Sequence, residues 1–233
     1  MDMHHKLVLP LILAALVSPV SAAYKLSAAV APAIVQGDVG QDVAPWVGRA
    51  LAEILSWEIS AVQTIRVVDP ATLEKNLDGW MAWTDLGQTQ IEAVRAAGRR
   101  TDVEAVILPR LERRGFDATL QVAVVVYKNM NERVIRLDVS GRDDAILGLL
   151  RQQVVQSLDS LGFNVPPALR HAATQRLTKT RWDALVEFGK GLQALSEGNR
   201  EEALRRLKES QRLDPNIAAV MVRVKTLEKE MAR

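Results

Sequence analysis

Histidine and cysteine supply most nucleophiles, bases and transition-metal ligands, and this 233-residue chain has very few of them. It contains no cysteine and three histidines, of which His4 and His5 lie in the first residues. A Ser-His-Asp site would depend on His171, which has no strand-turn-helix serine beside it in the sequence. A histidine-based metal site needs more ligands than remain. These residues predict a protein that is not an enzyme and that holds no metal or cofactor.

A polar loop, QGDVGQD (residues 36–42), stands between a predicted strand and a predicted helix. Open α/β sheets bind phosphates at this position, at the start of the helix. The loop has neither of the glycine patterns of nucleotide-binding loops, and it carries two acidic residues. We therefore expect an ordinary polar loop. An alternative is that this loop, together with Trp80 and Trp83, binds a small ligand or a glycan.

Residues 1–22 have the layout of a signal peptide. Lys6 precedes the apolar run LVLPLILAALV, and SPVSA follows it, which predicts cleavage after Ala22. The run is shorter than the ~18 residues of a spanning helix, although a retained membrane anchor remains the alternative. The formal net charge is +2, which is too small to indicate a nucleic-acid partner. We expect an exported, periplasmic protein that is soluble and, without a cysteine, not lipidated.

Residues 23–162 alternate strand and helix patterns in the order β-α-β-α-β-β-β-α. This order predicts an α+β domain with a mixed sheet and with helices mainly on one side of it. Pro109 interrupts the third predicted strand, and proline cannot donate a ladder hydrogen bond. We therefore expect that strand to lie at an edge of the sheet or to be bulged.

The same domain resembles the TolB amino-terminal-like and CsgG-like domains of bacterial envelope proteins. The resemblance is carried by AVAPAIVQGD, VGRALAEILSWEI, IRVVDPATLEKNL and TDVEAVILPRLER, in that order. It implies a domain of the cell envelope that binds other proteins. Pro109 departs from it, because such domains often have a glycine in the third strand.

Residues 163–181 form a basic, proline-containing segment that we interpret as a linker. Pro166 and Pro167 break regular structure, and the basic residues that follow have no acidic residue among them; these are Arg170, Arg176, Lys179 and Arg181. A solvated linker explains this composition. Peripheral contact with anionic lipid or cell-wall polymer is the alternative.

Residues 182–233 form an all-α tail that resembles one tetratricopeptide repeat followed by a capping helix. Four residues carry the resemblance through their spacing: Gly191, Gly198, Ala203 and Pro215. It implies two closely packed antiparallel helices, a turn at Gly198 and a helix end at Pro215. Because one repeat is not stable alone, the tail should dock on something.

An apolar stripe on the first tail helix, Leu185, Phe188, Leu192 and Leu195, lies at positions that usually line the groove of such repeats. It is either internal core or a partner-binding surface. Trp80 and Trp83 in GWMAW are a second candidate, again as core or as a binding surface. The resulting hypothesis is a non-catalytic adaptor or assembly factor of the envelope. Its partner would be another envelope protein or a second copy, with no nucleic acid and no membrane span in the mature chain.

Overall fold

The computed structural model describes residues 26–126, 133–174 and 179–233. The predicted signal peptide therefore lies outside the described residues. The strands are β1 (Leu26–Val30), β2 (Ile34–Gly37), β3 (Ile65–Val68), β4 (Ala105–Arg114), β5 (Asp117–Val126) and β6 (Arg133–Arg142). The helices are α1 (Ala44–Ser60), α2 (Pro70–Glu74), α3 (Gln88–Arg100), α4 (Ile146–Ser160), α5 (Pro167–Thr174), α6 (Trp182–Ser196), α7 (Arg200–Leu213) and α8 (Ala218–Met231).

The described strands form one mixed sheet in the order β3-β1-β4-β5-β6, and β2 also pairs with β4. The first three strands run parallel to their neighbours, whereas β4, β5 and β6 form an antiparallel meander. The predicted fold class, a mixed α/β sheet followed by helices, is confirmed.

Helices cover both faces of this sheet, so the expectation of helices mainly on one side is wrong. One core lies between the sheet and α1 with α4, and the other lies between the sheet and α2 with α3. Strand order explains the two layers. The connection from β1 to β3 and the connection from β3 to β4 run in opposite directions along the sheet. Because crossovers between parallel strands are right-handed as a rule, helices on connections in opposite directions fall on opposite faces.

Pro109 lies in the middle of the sheet, which corrects the expectation of an edge or bulged strand. The β4–β5 ladder is unbroken on either side of the Pro109–Val122 pair. On the other side of β4, the pairing with β1 ends at Ile107 and the pairing with β2 starts at Arg110. The Ile107 carbonyl accepts the Ala31 amide at 2.9 Å, so odd-numbered positions of β4 point to this side. Pro109 therefore lacks its N–H at the one place along this side of β4 that lies between the end of the β1 pairing and the start of the β2 pairing. No hydrogen bond of either ladder is lost there.

The tail is a helical hairpin, α6 and α7, followed by α8. Gly191 lies against α7, where a Cβ would stand 2.9 Å from the Leu207 side chain, and Ala203 is fully buried. Gly198 turns the chain with a φ of +79°, which favours glycine. The Asn199 side chain caps α7 by accepting the Glu202 amide at 3.2 Å. This hairpin packs on the α1 side of the sheet and shares its core.

The segment 163–181 contains α5, which packs on the α/β part of the molecule. Leu169 and Ala173 of α5 are buried. Three of its basic residues also have acidic partners, namely Arg170 with Asp159, Lys179 with Asp144, and Arg181 with Asp183. In the part of the chain that the structure describes, no helix is both long enough and apolar enough to cross a membrane.

Candidate functional site

The predicted stripe on α6 divides into a buried half and an open half. Leu185 and Phe188 have no exposed surface and belong to the main core. Next to them, Gly189 lies so close to α1 that a Cβ would stand 1.9 Å from the Trp46 carbonyl oxygen. A partner could reach these two side chains only if α6 left α1. For Leu185 and Phe188, the expectation of a partner-binding surface is therefore corrected.

The other half of the stripe, Leu192 and Leu195, lines a cleft of about 180 Å³ between α1, α2, α6 and α8. Pro32, which follows β1, and Asp69, which follows β3, also line it. The chain leaves β1 toward one face of the sheet and leaves β3 toward the other face. Open α/β sheets form a binding crevice between two such neighbouring strands, and the cleft lies at this position. The tail closes that crevice.

The charged residues around the cleft are engaged with one another. Arg49 bonds to Glu74 at 2.7 and 2.8 Å and lies 5.6 Å from the centre of the Trp80 ring. Arg223 of α8 bonds to Glu53 of α1 at 2.6 Å. Burial would lower the pKa of Arg223, but the hydrogen bond from this guanidinium to Glu53 raises it above its usual value. The Arg223–Glu53 pair holds α8 to α1, and the Arg49–Glu74 pair holds α1 to α2, so these charges are already paired within the molecule.

The two tryptophans of GWMAW have different environments. Trp80 is 7% exposed and belongs to the core between the sheet and α3, so the partner-binding expectation is corrected for it as well. Trp83 is only partly buried at the edge of that core. Met81, between them, is 63% exposed. A short 3₁₀ turn, Trp80–Ala82, produces this arrangement, and Gly79 starts it with a φ of +68°.

Met81 and Trp83 line a groove of about 580 Å³ whose opposite wall is the predicted polar loop. Gln36 and Gly37 of β2, Val39 and Gln41 of the loop, Pro45 of α1 and Glu112 of β4 complete it. Among the described strands, β2 pairs only with β4, so its other edge has no strand beside it. The groove therefore combines an unpaired strand edge with an exposed methionine and a half-exposed tryptophan.

Short contacts hold the loop in this conformation. Gly37 has a φ of +85°, and a Cβ there would stand 1.8 Å from the Arg113 carbonyl oxygen. The Asp38 carboxylate accepts the Gly115 amide at 2.6 Å, and the Asp38 carbonyl accepts from Arg113 at 3.2 Å. The loop is thus tied to the β4–β5 turn, and one of its two acids is used for this purpose.

His171 lies on the exposed side of α5. Among the described residues, no three His, Cys, Asp or Glu side chains are grouped closely enough to hold a metal ion.

Comparisons with known proteins place the chain in no family. No family model matches it, and no curated protein matches it. The solved structure of lipoprotein GNA1162 from Neisseria meningitidis is 19% identical, covers 57% of this chain and 96% of that chain, and has a TM-score of 0.36. The LpoB C-terminal domain from Salmonella enterica is 9% identical, covers 51% of this chain and 86% of that chain, and has a TM-score of 0.30.

Similarity at this level shows neither a shared fold nor a shared function. The resemblances to TolB-like, CsgG-like and tetratricopeptide domains are therefore not confirmed. The comparisons do not test the expectation that this chain is not lipidated. The chain has no cysteine, and that expectation stays a prediction.

Sequence reasoning missed the pairs Arg49–Glu74 and Arg223–Glu53. Arg223 and Glu53 are 170 residues apart, so no local pattern connects them. The groove had a weak local signal, because GWMAW combines a turn glycine with a methionine and two tryptophans.

Proposed function

We propose that this protein is a non-catalytic, exported protein of the cell envelope that acts as an adaptor or assembly factor. Export is supported by residues 1–22, which have the layout of a signal peptide. The observation that carries the binding role is the groove, where Met81 is 63% exposed beside Trp83. Tryptophan and methionine are enriched in protein interfaces, and methionine adapts its shape to a partner.

The occupant that fits this groove is an extended segment of another envelope protein. The outer edge of β2 offers unpaired main-chain groups, and an extended segment can add to such an edge as a further strand. Met81 and Trp83 would then contact alternate side chains of that segment, since successive residues of a strand point to opposite faces. Leu192 and Leu195 are half-buried, line the neighbouring cleft and stay predicted partner contacts.

A photo-crosslinking residue in place of Met81 tests this role in cells. We expect one discrete adduct with a second envelope protein, because the crosslinker would stand inside the binding groove. Trp83→Ala should abolish the adduct. Trp57→Ala is the matched control, because Trp57 is 36% exposed on α1 and does not line the groove. Loss of the adduct in both variants, or an adduct that Trp83→Ala leaves unchanged, would exclude the groove as the binding site.

A small-ligand or glycan-binding function is the second candidate, and one observation favours it. The loop of residues 36–42 and Trp83 line the same groove, which is the combination that this function requires. Titration with envelope glycans, followed by tryptophan fluorescence, distinguishes the two functions. Saturable quenching that disappears in Trp83→Phe would favour the glycan, and an unchanged spectrum would favour the protein segment.

A further inference from the structure

In the part of the chain that the structure describes, no strand pairs with the outer side of β6. It is the last strand of the sheet, and its ten residues all pair with β5 without a bulge. Within the described residues, no backbone group bonds to its other side. Proteins usually protect such an edge with charged side chains, a proline, a bulge, a short strand or a covering element. Residues 133–142 include charged side chains, but they have no proline and no bulge.

The ladder shows which residues of β6 face the open side. The Asp143 amide donates to the Phe116 carbonyl at 2.8 Å, so the 116–143 pair is hydrogen-bonded. Bonded and non-bonded pairs alternate in an antiparallel ladder. Odd-numbered residues of β6 therefore bond to β5, and even-numbered residues direct their N–H and C=O groups outward; these are Val134, Arg136, Asp138, Ser140 and Arg142.

The sequence of β6 is complementary to itself in antiparallel orientation. When two copies are related by a two-fold axis at Leu137, Arg136 of one copy stands opposite Asp138 of the other, twice. Both residues are exposed and face outward, so each such pair would also exchange two main-chain hydrogen bonds. Leu137 would meet its own counterpart, and half-buried Ile135 would stand opposite Val139.

Charge selects this register over its neighbours. A shift by two residues in one direction places Arg136 opposite Arg136, and a shift in the other direction places Asp138 opposite Asp138. Like charges directly opposite each other destabilise a strand pair, whereas opposite charges stabilise it. A shift by one residue would place an odd-numbered residue of one copy, whose N–H and C=O already bond to β5, opposite an even-numbered residue of the other copy. The outward main-chain groups would then have no partner.

We propose that the β6 edge binds a second copy of this chain, joining two sheets into one through antiparallel β6 pairing about Leu137. The interaction uses neither the groove at Met81 nor the cleft at Leu192, so it is independent of the adaptor role. Each copy would recognise the other through the unpaired main-chain groups of β6 and through Arg136 and Asp138, which lie two positions apart.

Light scattering on the full chain, expressed with its own N-terminal segment, tests the proposal. We expect wild-type protein at twice the mass of one chain, which is at most 25.7 kDa. Asp138→Arg should give a monomer, because it places two arginines opposite each other. The exchange Arg136→Asp with Asp138→Arg should restore the dimer, since it recreates both opposite-charge pairs, and a merely structural role would not be rescued in this way.

Ser140→Pro is a second variant that does not depend on charge. Residue 140 directs its N–H outward, so proline there removes an edge donor while the main-chain bonds to β5 stay in place. The Ser140 hydroxyl also loses its exposed 3.0 Å contact with the Thr119 hydroxyl. We expect a monomer with an unchanged far-UV spectrum. A monomeric wild type, or a dimer that survives both Asp138→Arg and Ser140→Pro, would overturn the proposal and leave the edge to a different protein or to no partner.

Discussion

Glu202 shows how individual side chains of the tail depend on their neighbours. It lies in the first turn of α7 and accepts hydrogen bonds from Arg205 at 2.6 and 2.8 Å and from Arg206 at 2.8 Å. These bonds favour the carboxylate over the carboxylic acid. They lower the pKa of Glu202 from 4.5 to about 2, and the bond from Arg205 contributes most.

This pKa predicts a pH dependence. Because the folded-state pKa lies below that of the unfolded chain, the stabilisation by Glu202 is complete above pH 4.5 and is lost as the pH falls toward about 2. We expect an NMR titration of the Glu202 carboxyl group to show the lowered pKa, and Arg205→Ala to raise it. The pair is on the surface, so the effect on melting should be small. A titration that Arg205→Ala does not change would contradict this account.

Among the elements, the packing of α6 on α1 determines most about the molecule. Gly189 allows the two helices to approach closely, and polar contacts surround this point. Trp46 donates to Gln193 at 2.9 Å, and Lys190 lies 4.8 Å from the centre of the Trp46 ring. The Ser210 hydroxyl donates to the Ala184 carbonyl at 2.7 Å and joins α7 to the same helix. The tail is thereby joined to α1 along the length of α6.

Gly189→Ala tests this packing. Alanine normally favours a helix over glycine by about 1 kcal/mol, but here its Cβ would overlap the backbone of α1. We expect a net loss of about 1 to 3 kcal/mol of unfolding free energy, measured by urea denaturation. Ser196→Ala at the exposed end of α6 is the matched control and should be close to neutral. A more stable Gly189→Ala protein would mean that the helices are farther apart than described.

At the scale of the whole molecule, the tail and the α/β part share one core. Val47 and Leu51 of α1 belong to the same buried cluster as Leu185 and Phe188 of α6, and Leu207 of α7 joins them. The sequence predicts a division into a domain of residues 23–162, a linker and a tail of residues 182–233. Whether the residues before the tail fold without it is the test of this division.

A chain that ends at residue 181 should be less stable than the full chain. Its α1 would expose the surface that α6 covers, and exposed apolar area costs about 25 cal/mol per Å². We expect calorimetry to show one transition for the full chain and a lower melting temperature for the shortened one, with stronger binding of a hydrophobic dye. A chain that ends at residue 216, which lacks only α8, is the control and should lose less. Equal melting temperatures would show that the α/β part is an independent domain.

The sequence alone predicted the type and order of most elements, but not the separate strand β2 or the helix α5. Periodicity located α1, β5 and α7 because apolar spacing of two or of three to four residues reports local backbone geometry. Local patterns also predicted the helical hairpin at Gly198 and named Trp80 and Trp83 together, as either core or binding surface. They could not distinguish Trp80 from Trp83, because the two share one short motif and differ only in what packs over them.

Long-range packing decided the remaining features. The position of Pro109 in the sheet depends on where β1 gives way to β2, and the burial of Phe188 depends on α1, more than a hundred residues away. The open edge of β6 likewise follows from the order of the strands, which no segment of the chain encodes alone. An apolar pattern shows that one face of a helix or strand must be buried. Which other segment buries it depends on contacts between residues far apart in the sequence, and these form only in the tertiary structure.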